Sequence, residues 1–194
     1  IKQLTIYALS TENLKRSEEE RAYLFTLTKD KLEEVIEDGR LRKEGLRVKT
    51  IGNLELLPAD VRELAEKIEK VSGEYNNYSL YVALGYGGRQ EILDATRALA
   101  KKVRDGELRA EEIDEHIFSS HLYTNGAAAV DLIIRTGGEM RTSNFLPWQA
   151  SGNECAAYFC APYWPEFRKI DFLRAIRTYQ MREAARCMQP IAKV

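Results

Sequence analysis

Asp131-Leu-Ile-Ile-Arg135-Thr-Gly137-Gly138-Glu139-Met140-Arg141-Thr-Ser143-Asn-Phe-Leu-Pro-Trp148-Gln149 sets a short apolar run directly before a glycine turn crowded with charge. The run from Asp131 to Thr136 reads as a buried strand, rich in β-branched residues. Arg135, Arg141 and Ser143 can each donate hydrogen bonds to an anion, and the paired glycines let the backbone approach it closely. Glu139 and Glu154 are near enough in sequence to supply oxygen to a hard cation. Two arginines with a carboxylate suited to magnesium point to a diphosphate as the ligand.

Working outward, Leu4–Leu9, Leu46–Ile51, Tyr78–Leu84 and Cys155–Cys160 read as further strands. Ser17 with Glu20 forms a capping-box pattern, and the helix it starts is expected to reach Asp38, before Gly39. That helix carries Leu24, Phe25, Leu27, Leu32, Val35 and Ile36, too broad a set for a narrow stripe, which suits packing on more than one side. Pro58 is expected at the first position of a helix with Val61, Leu64, Ala65 and Ile68 at helical spacing. Further helices are expected over Gln90–Val103, Ala110–Phe118 and Ile170–Cys187. Strands alternating with helices define an α/β class with a largely parallel central sheet flanked by helices. All 194 residues are expected to form one domain. Ligands collect beyond the carboxyl ends of such strands. The turns Ser10–Arg16, Gly85–Arg89 and Arg135–Ser143 each follow a strand, so all three are expected at one edge.

Lys and Arg number 29 against 30 Asp and Glu, a net charge of −1, which argues against a nucleic-acid protein working through a broad basic surface. No apolar run approaches the roughly 18–20 residues that cross a bilayer. Ile1 opens directly into a strand-like segment, so no signal peptide is expected. Cys155, Cys160 and Cys187 lack a Cys-x-x-Cys spacing, and His116 and His121 lie apart from them. Reduced thiols in a cytoplasmic protein are therefore expected rather than a zinc site.

The decisive stretch also resembles the signature of the cis-prenyltransferases, the undecaprenyl diphosphate synthase family. Its Arg-x-x-Gly-Glu-x-Arg-x-Ser-Asn-Phe element is matched by Arg135–Phe145, followed by Trp148-Gln149, Glu154 and Trp164-Pro-Glu-Phe167. Ser10-Thr-Glu-Asn13-Leu14-Lys-Arg16 resembles the family's Ser-x-Glu-Asn-x-x-Arg block, and Tyr86-Gly87-Gly88-Arg89 its strand-to-helix turn. Phe145-Leu-Pro-Trp148 is similar to archaeal members.

The resemblance implies condensation of isopentenyl diphosphate with an allylic prenyl diphosphate to make a long-chain polyprenyl diphosphate, with magnesium as cofactor. It further implies a homodimer, transient contact with a membrane surface and a cytoplasmic location. By the same resemblance Arg135, Arg141 and Ser143 hold isopentenyl diphosphate, Arg16 contacts the allylic diphosphate, and Glu154 helps hold magnesium. Ser10 and Asn13 fall at positions that place the homoallylic substrate and help its proton leave. Neither is a strong base, so oriented hydrogen bonds and the diphosphate itself would serve. Helix capping by Ser10 and Asn13, and an ion pair from Arg16 to Glu19 or Glu20, are the plainer alternatives. Leu24, Leu27 and Thr28 share a helix face suited to a product tunnel or to simple packing; Trp148, Trp164 and Phe167 suit packing.

Leu14 replaces a tryptophan common in the family, and Met140 replaces an imidazole or amide. The family's Met-Asp-Gly-Asn-x-Arg loop, with its metal-binding aspartate, would precede Ile1, so the fold is expected to lack its first strand and loop here. A non-catalytic partner subunit of a heteromeric enzyme, and prenyl transfer to a different acceptor, are the rival functions. These 194 residues alone are expected to be inactive in prenyl transfer. Magnesium-dependent chain growth by the isolated chain, followed with labelled isopentenyl diphosphate, would refute that.

Overall fold

The computed structural model describes residues 1–150 and 155–188. They fall into two compact units, Ile1–Ala128 and Ala129–Val194. The first contains β1 (Gln3–Ser10), α1 (Glu18–Glu37), α2 (Arg40–Glu44), β2 (Leu46–Ile51), α3 (Ala59–Ser72), β3 (Tyr78–Tyr86), α4 (Gly88–Arg104) and α5 (Glu115–Ser120). The second contains β4 (Leu132–Arg135), β5 (Ala156–Phe159) and α6 (Lys169–Met188). Every strand pairing among the described residues is parallel. No described helix is long and apolar enough to cross a membrane.

In the first unit the order is β1-β3-β2. The central strand β3 is buried continuously from Tyr81 to Tyr86, because parallel sheets are covered on both faces. Val82 and Leu84 join Leu9, Val48, Val61, Ala65, Ile68, Leu32 and Leu41 in one apolar core. Helix α3 enters that core through Val61, Ala65 and Ile68, the spacing that places residues on one helical face. Pro58 stands one place earlier than expected, at the N-cap. On β3, Tyr81 donates from its hydroxyl to the Gly126 carbonyl at 3.3 Å, fastening the 121–128 segment to the sheet.

Ser17 accepts from the Glu20 amide at 3.3 Å, and α1 starts at Glu18 as the capping box dictates. Gly39, in the left-handed region at φ 74°, separates α1 from a short α2 that the sequence pattern did not reveal. The single helix expected over Ala110–Phe118 is instead a 3-10 turn, Ala110–Glu112, and the separate helix α5. Asp114 restarts the helix by accepting from the Ile117 amide at 2.7 Å.

Strand β2 lies at a sheet edge, and α3 closes its outer hydrogen-bonding row. The Val48 amide donates to Ser72 Oγ at 3.0 Å, and the Thr50 amide donates to Glu69 Oε1 at 2.6 Å. Residues two apart on a strand share one edge, while residues three apart on a helix share one face, so the two pairs form together. Ser72 is fully buried and passes its own hydrogen to the Ile68 carbonyl at 2.7 Å. Ser72→Ala would strand the buried Val48 N–H and should lower stability by about 1–3 kcal/mol. A urea-denaturation midpoint identical to that of the parent would exclude this role for Ser72.

Candidate functional site

β1 and β3 run side by side, with Ser10 paired to Tyr86 in register, so their carboxyl-end turns emerge together. The Thr11 amide donates to the Tyr86 carbonyl at 2.9 Å, and the Tyr7 hydroxyl donates to the same oxygen at 3.1 Å. Close approach also governs the β2 end: a Cβ on Gly52, at φ 125°, would lie 2.2 Å from the Leu84 carbonyl oxygen. Two of the three expected turns therefore share an edge of the first unit. The Arg135–Ser143 turn follows β4 of the second unit.

Ser10 and Asn13 bond reciprocally. The Ser10 amide donates to Asn13 Oδ1 at 2.8 Å, and the Asn13 amide donates to Ser10 Oγ at 3.1 Å. Both bonds consume acceptor atoms of the side chains, so the capping role leaves the Ser10 hydroxyl hydrogen and the Asn13 Nδ2 hydrogens for an anion. Arg16 is exposed, and its contact with Glu20 is long at 3.7 Å, a solvent-screened pair that exchanges readily. Leu14 packs against the apolar core.

A buried polar cluster beneath the Tyr86 turn was not singled out from sequence. Glu91 is fully buried on α4 and accepts from the Tyr86 hydroxyl at 2.5 Å and from the Thr124 amide at 3.3 Å. The Tyr86 ring meets Tyr7 and Tyr123 edge-on at 5.8 and 6.3 Å. Tyr123 donates to Asp94 at 2.5 Å, and burial together with that carboxylate raises the phenol's pKa. The available signal was spacing: Gly88, Glu91, Ala95 and Leu99 form the buried face of α4.

In the second unit β4 delivers Arg135 at the start of the glycine turn. The Gly137 amide donates to the Pro162 carbonyl at 2.9 Å and the Gly138 amide to the Cys160 carbonyl at 3.0 Å. Both glycine amides are thus spent within the fold. Gly137, at φ 84°, packs where a Cβ would come within 3.3 Å of the Tyr163 ring. Arg135 Nη2 donates to Glu139 Oε2 at 2.5 Å, while Arg141 presents Nε and Nη2 to the two carboxylate oxygens at 2.9 and 2.8 Å. The two guanidinium groups therefore converge on one acidic group. Arg135 Nε is buried and has no hydrogen-bond partner among the described residues.

Ser143 lies beyond this pair with φ 57°, a left-handed conformation that strains a residue with a Cβ. Leu146, at φ 50°, shares that strain and is buried. Trp164 stacks edge-on with Phe167 at 5.2 Å but is 63% exposed, so it is not the packed residue the sequence suggested. Leu27 likewise is 42% exposed, whereas Leu24 packs against the core.

Glu154 lies outside the described residues. Among the described residues no three His, Cys, Asp or Glu side chains are grouped to hold a metal ion. Glu139 is committed to two arginines, so the described donor set does not by itself fit magnesium.

Parallel strands, with an arginine pair beyond β4 converging on one carboxylate, define an α/β protein. The chain belongs to the prenyltransferase family described as putative undecaprenyl diphosphate synthase, which matches residues 1–186. An Archaeoglobus fulgidus relative, "Tritrans,polycis-undecaprenyl-diphosphate synthase (geranylgeranyl-diphosphate specific)", is 53% identical over 185 residues, which cover 95% of this chain and 73% of that protein. The equally named Methanosarcina mazei protein is 50% identical over 186 residues, 94% of this chain and 62% of its own length. Among solved structures, lavandulyl diphosphate synthase from Lavandula x intermedia, in complex with dimethylallyl diphosphate, superposes with TM-score 0.86 at 34% identity, covering 93% of this chain and 76% of that one. A probable undecaprenyl diphosphate synthase from Campylobacter jejuni gives TM-score 0.78 at 32% identity, covering 92% and 81%.

The hydrogen bond from Arg135, then that from Arg141, holds the Glu139 carboxyl below its ordinary pKa. A carboxylate so lowered stabilises the fold above its unfolded pKa, and that contribution is lost as pH falls through the folded value. Carbon-13 NMR titration of Glu139 should therefore give a midpoint below that of an ordinary glutamate, moving upward in Arg141→Ala. An ordinary midpoint in the parent would contradict the ion pair.

Proposed function

We propose that the protein elongates an allylic prenyl diphosphate by cis addition of isopentenyl units, releasing diphosphate at each cycle. The observation that carries this is the convergence of Arg135 and Arg141 on a single acidic group, in a chain of this family. Arg135, Arg141 and Ser143 bind the diphosphate of isopentenyl diphosphate, since a planar guanidinium fork matches two phosphate oxygens at once. Arg16 contacts the allylic diphosphate.

In the reaction the allylic C1–O bond breaks and the diphosphate leaves with the electron pair. The terminal double bond of isopentenyl diphosphate attacks C1, and loss of a proton from the adjacent carbon leaves a new cis double bond. Ser10 and Asn13 orient the homoallylic substrate through the donors their mutual bonds leave available. The departing proton goes to a diphosphate oxygen, because neither side chain is a strong base. The Arg16 guanidinium balances the charge that develops on the departing allylic diphosphate.

Names of the archaeal relatives support a geranylgeranyl primer and an undecaprenyl-length product for this chain as well. Magnesium enters the proposal through Glu154 alone, and no step is drawn through it. A homodimer, a cytoplasmic location and transient contact with a membrane surface belong to the same proposal. Exposed Tyr163, Trp164, Ile170 and Leu173 support the homodimer as apolar surface for a second copy.

The test uses the protein expressed with whatever sequence flanks these residues in its gene, labelled isopentenyl diphosphate, geranylgeranyl diphosphate and magnesium. Chain growth is expected, and Arg135→Ala or Arg141→Ala should raise KM for isopentenyl diphosphate by roughly 10–100-fold, the worth of a charge-assisted hydrogen bond. Absence of chain growth, or arginine variants with parental KM, would overturn the proposal.

A further inference from the structure

Resting on the diphosphate assignment of the Arg135–Ser143 loop, we propose that Glu139 is an internal surrogate anion. It keeps the Arg135–Arg141 pair assembled without substrate and sets the charge a ligand must bring to displace it. Arg141 holds the Glu139 carboxylate through Nε and Nη2, the same two-pronged geometry with which arginine grips phosphate. Arg135 adds a third donor through Nη2. Two cations and one carboxylate leave the group with a net positive charge, so the pair is organised but not neutralised.

A second observation points to a larger anion. Arg135 Nε is buried without an acceptor among the described residues. Both carboxylate oxygens of Glu139 are already engaged, and a buried guanidinium N–H left unpaired is unfavourable. A diphosphate brings more oxygens and more negative charge than a carboxylate, enough to take over the three donors and offer an acceptor to the fourth. Glu139 can yield its place because the contact is solvent-screened: its side chain is 43% exposed and that of Arg141 is 69% exposed. Inorganic phosphate, with fewer oxygens, competes less well against the resident carboxylate. Glu139 thereby favours diphosphates over monophosphates.

Calorimetric titration of inorganic pyrophosphate and of inorganic phosphate, without added divalent metal, tests this on the protein with its flanking sequence. Glu139→Gln keeps the shape and removes the competing charge. Phosphate should bind the variant up to about fivefold more tightly, the scale of an exposed ion pair. Pyrophosphate should gain less, so the preference between the two narrows. Glu139→Ser gives an independent reading and should show the same narrowing; a merely structural role would shift both ligands equally. Unchanged, weaker or equally altered affinities in the variants overturn the inference while leaving the proposed function standing. A parent protein that binds no pyrophosphate overturns both.

Discussion

Parallel pairing of β3 with a neighbour on each side is the constraint from which the first unit follows. A strand hydrogen-bonded along both edges and covered on both faces has no solvent contact, and the sequence answers with continuous burial from Tyr81 to Tyr86. Once β3 is fixed, register places Ser10 beside Tyr86, and the Tyr86 carbonyl collects both the Thr11 amide and the Tyr7 hydroxyl. Beneath it Glu91 receives the Tyr86 hydroxyl and ties the turn to Thr124. The turn is thus held by backbone pairing on one side and by a buried carboxylate on the other.

The second unit solves a different problem. A glycine turn can offer amide hydrogens to an anion, but here Cys160 and Pro162 take them. That commitment ties the turn to the segment just past β5 and leaves the charged donors of the loop in its guanidinium groups. In the structure one carboxylate, that of Glu139, engages both guanidinium groups.

Much of this was legible in the sequence, for identifiable reasons. Five strands and the long helices came from periodicity, and the start of α1 from Ser17 with Glu20, because these signals are local. The arginine pair was legible because charged residues gathered around glycines after a strand seldom serve packing. The acceptors of the two glycine amides, Cys160 and Pro162, were not legible because they lie more than twenty residues away. Glu91 escaped notice for a similar reason: its partner Thr124 is 33 residues distant, and a lone glutamate in a helix looks solvated. The break between the 3-10 turn and α5 depends on Asp114 competing locally for the backbone, a balance that apolar spacing does not register.

The covering of β2 by Ser72 and Glu69 has an effect beyond holding α3 in place. An exposed strand edge is a template on which any extended peptide can dock, including a neighbouring copy of the same protein. With alternate amides of β2 already occupied by side chains from α3, that border cannot recruit a foreign strand without first dislodging a helix. Resistance to runaway sheet growth on this side is therefore encoded by one hydroxyl and one carboxylate, neither of which belongs to the sheet it protects.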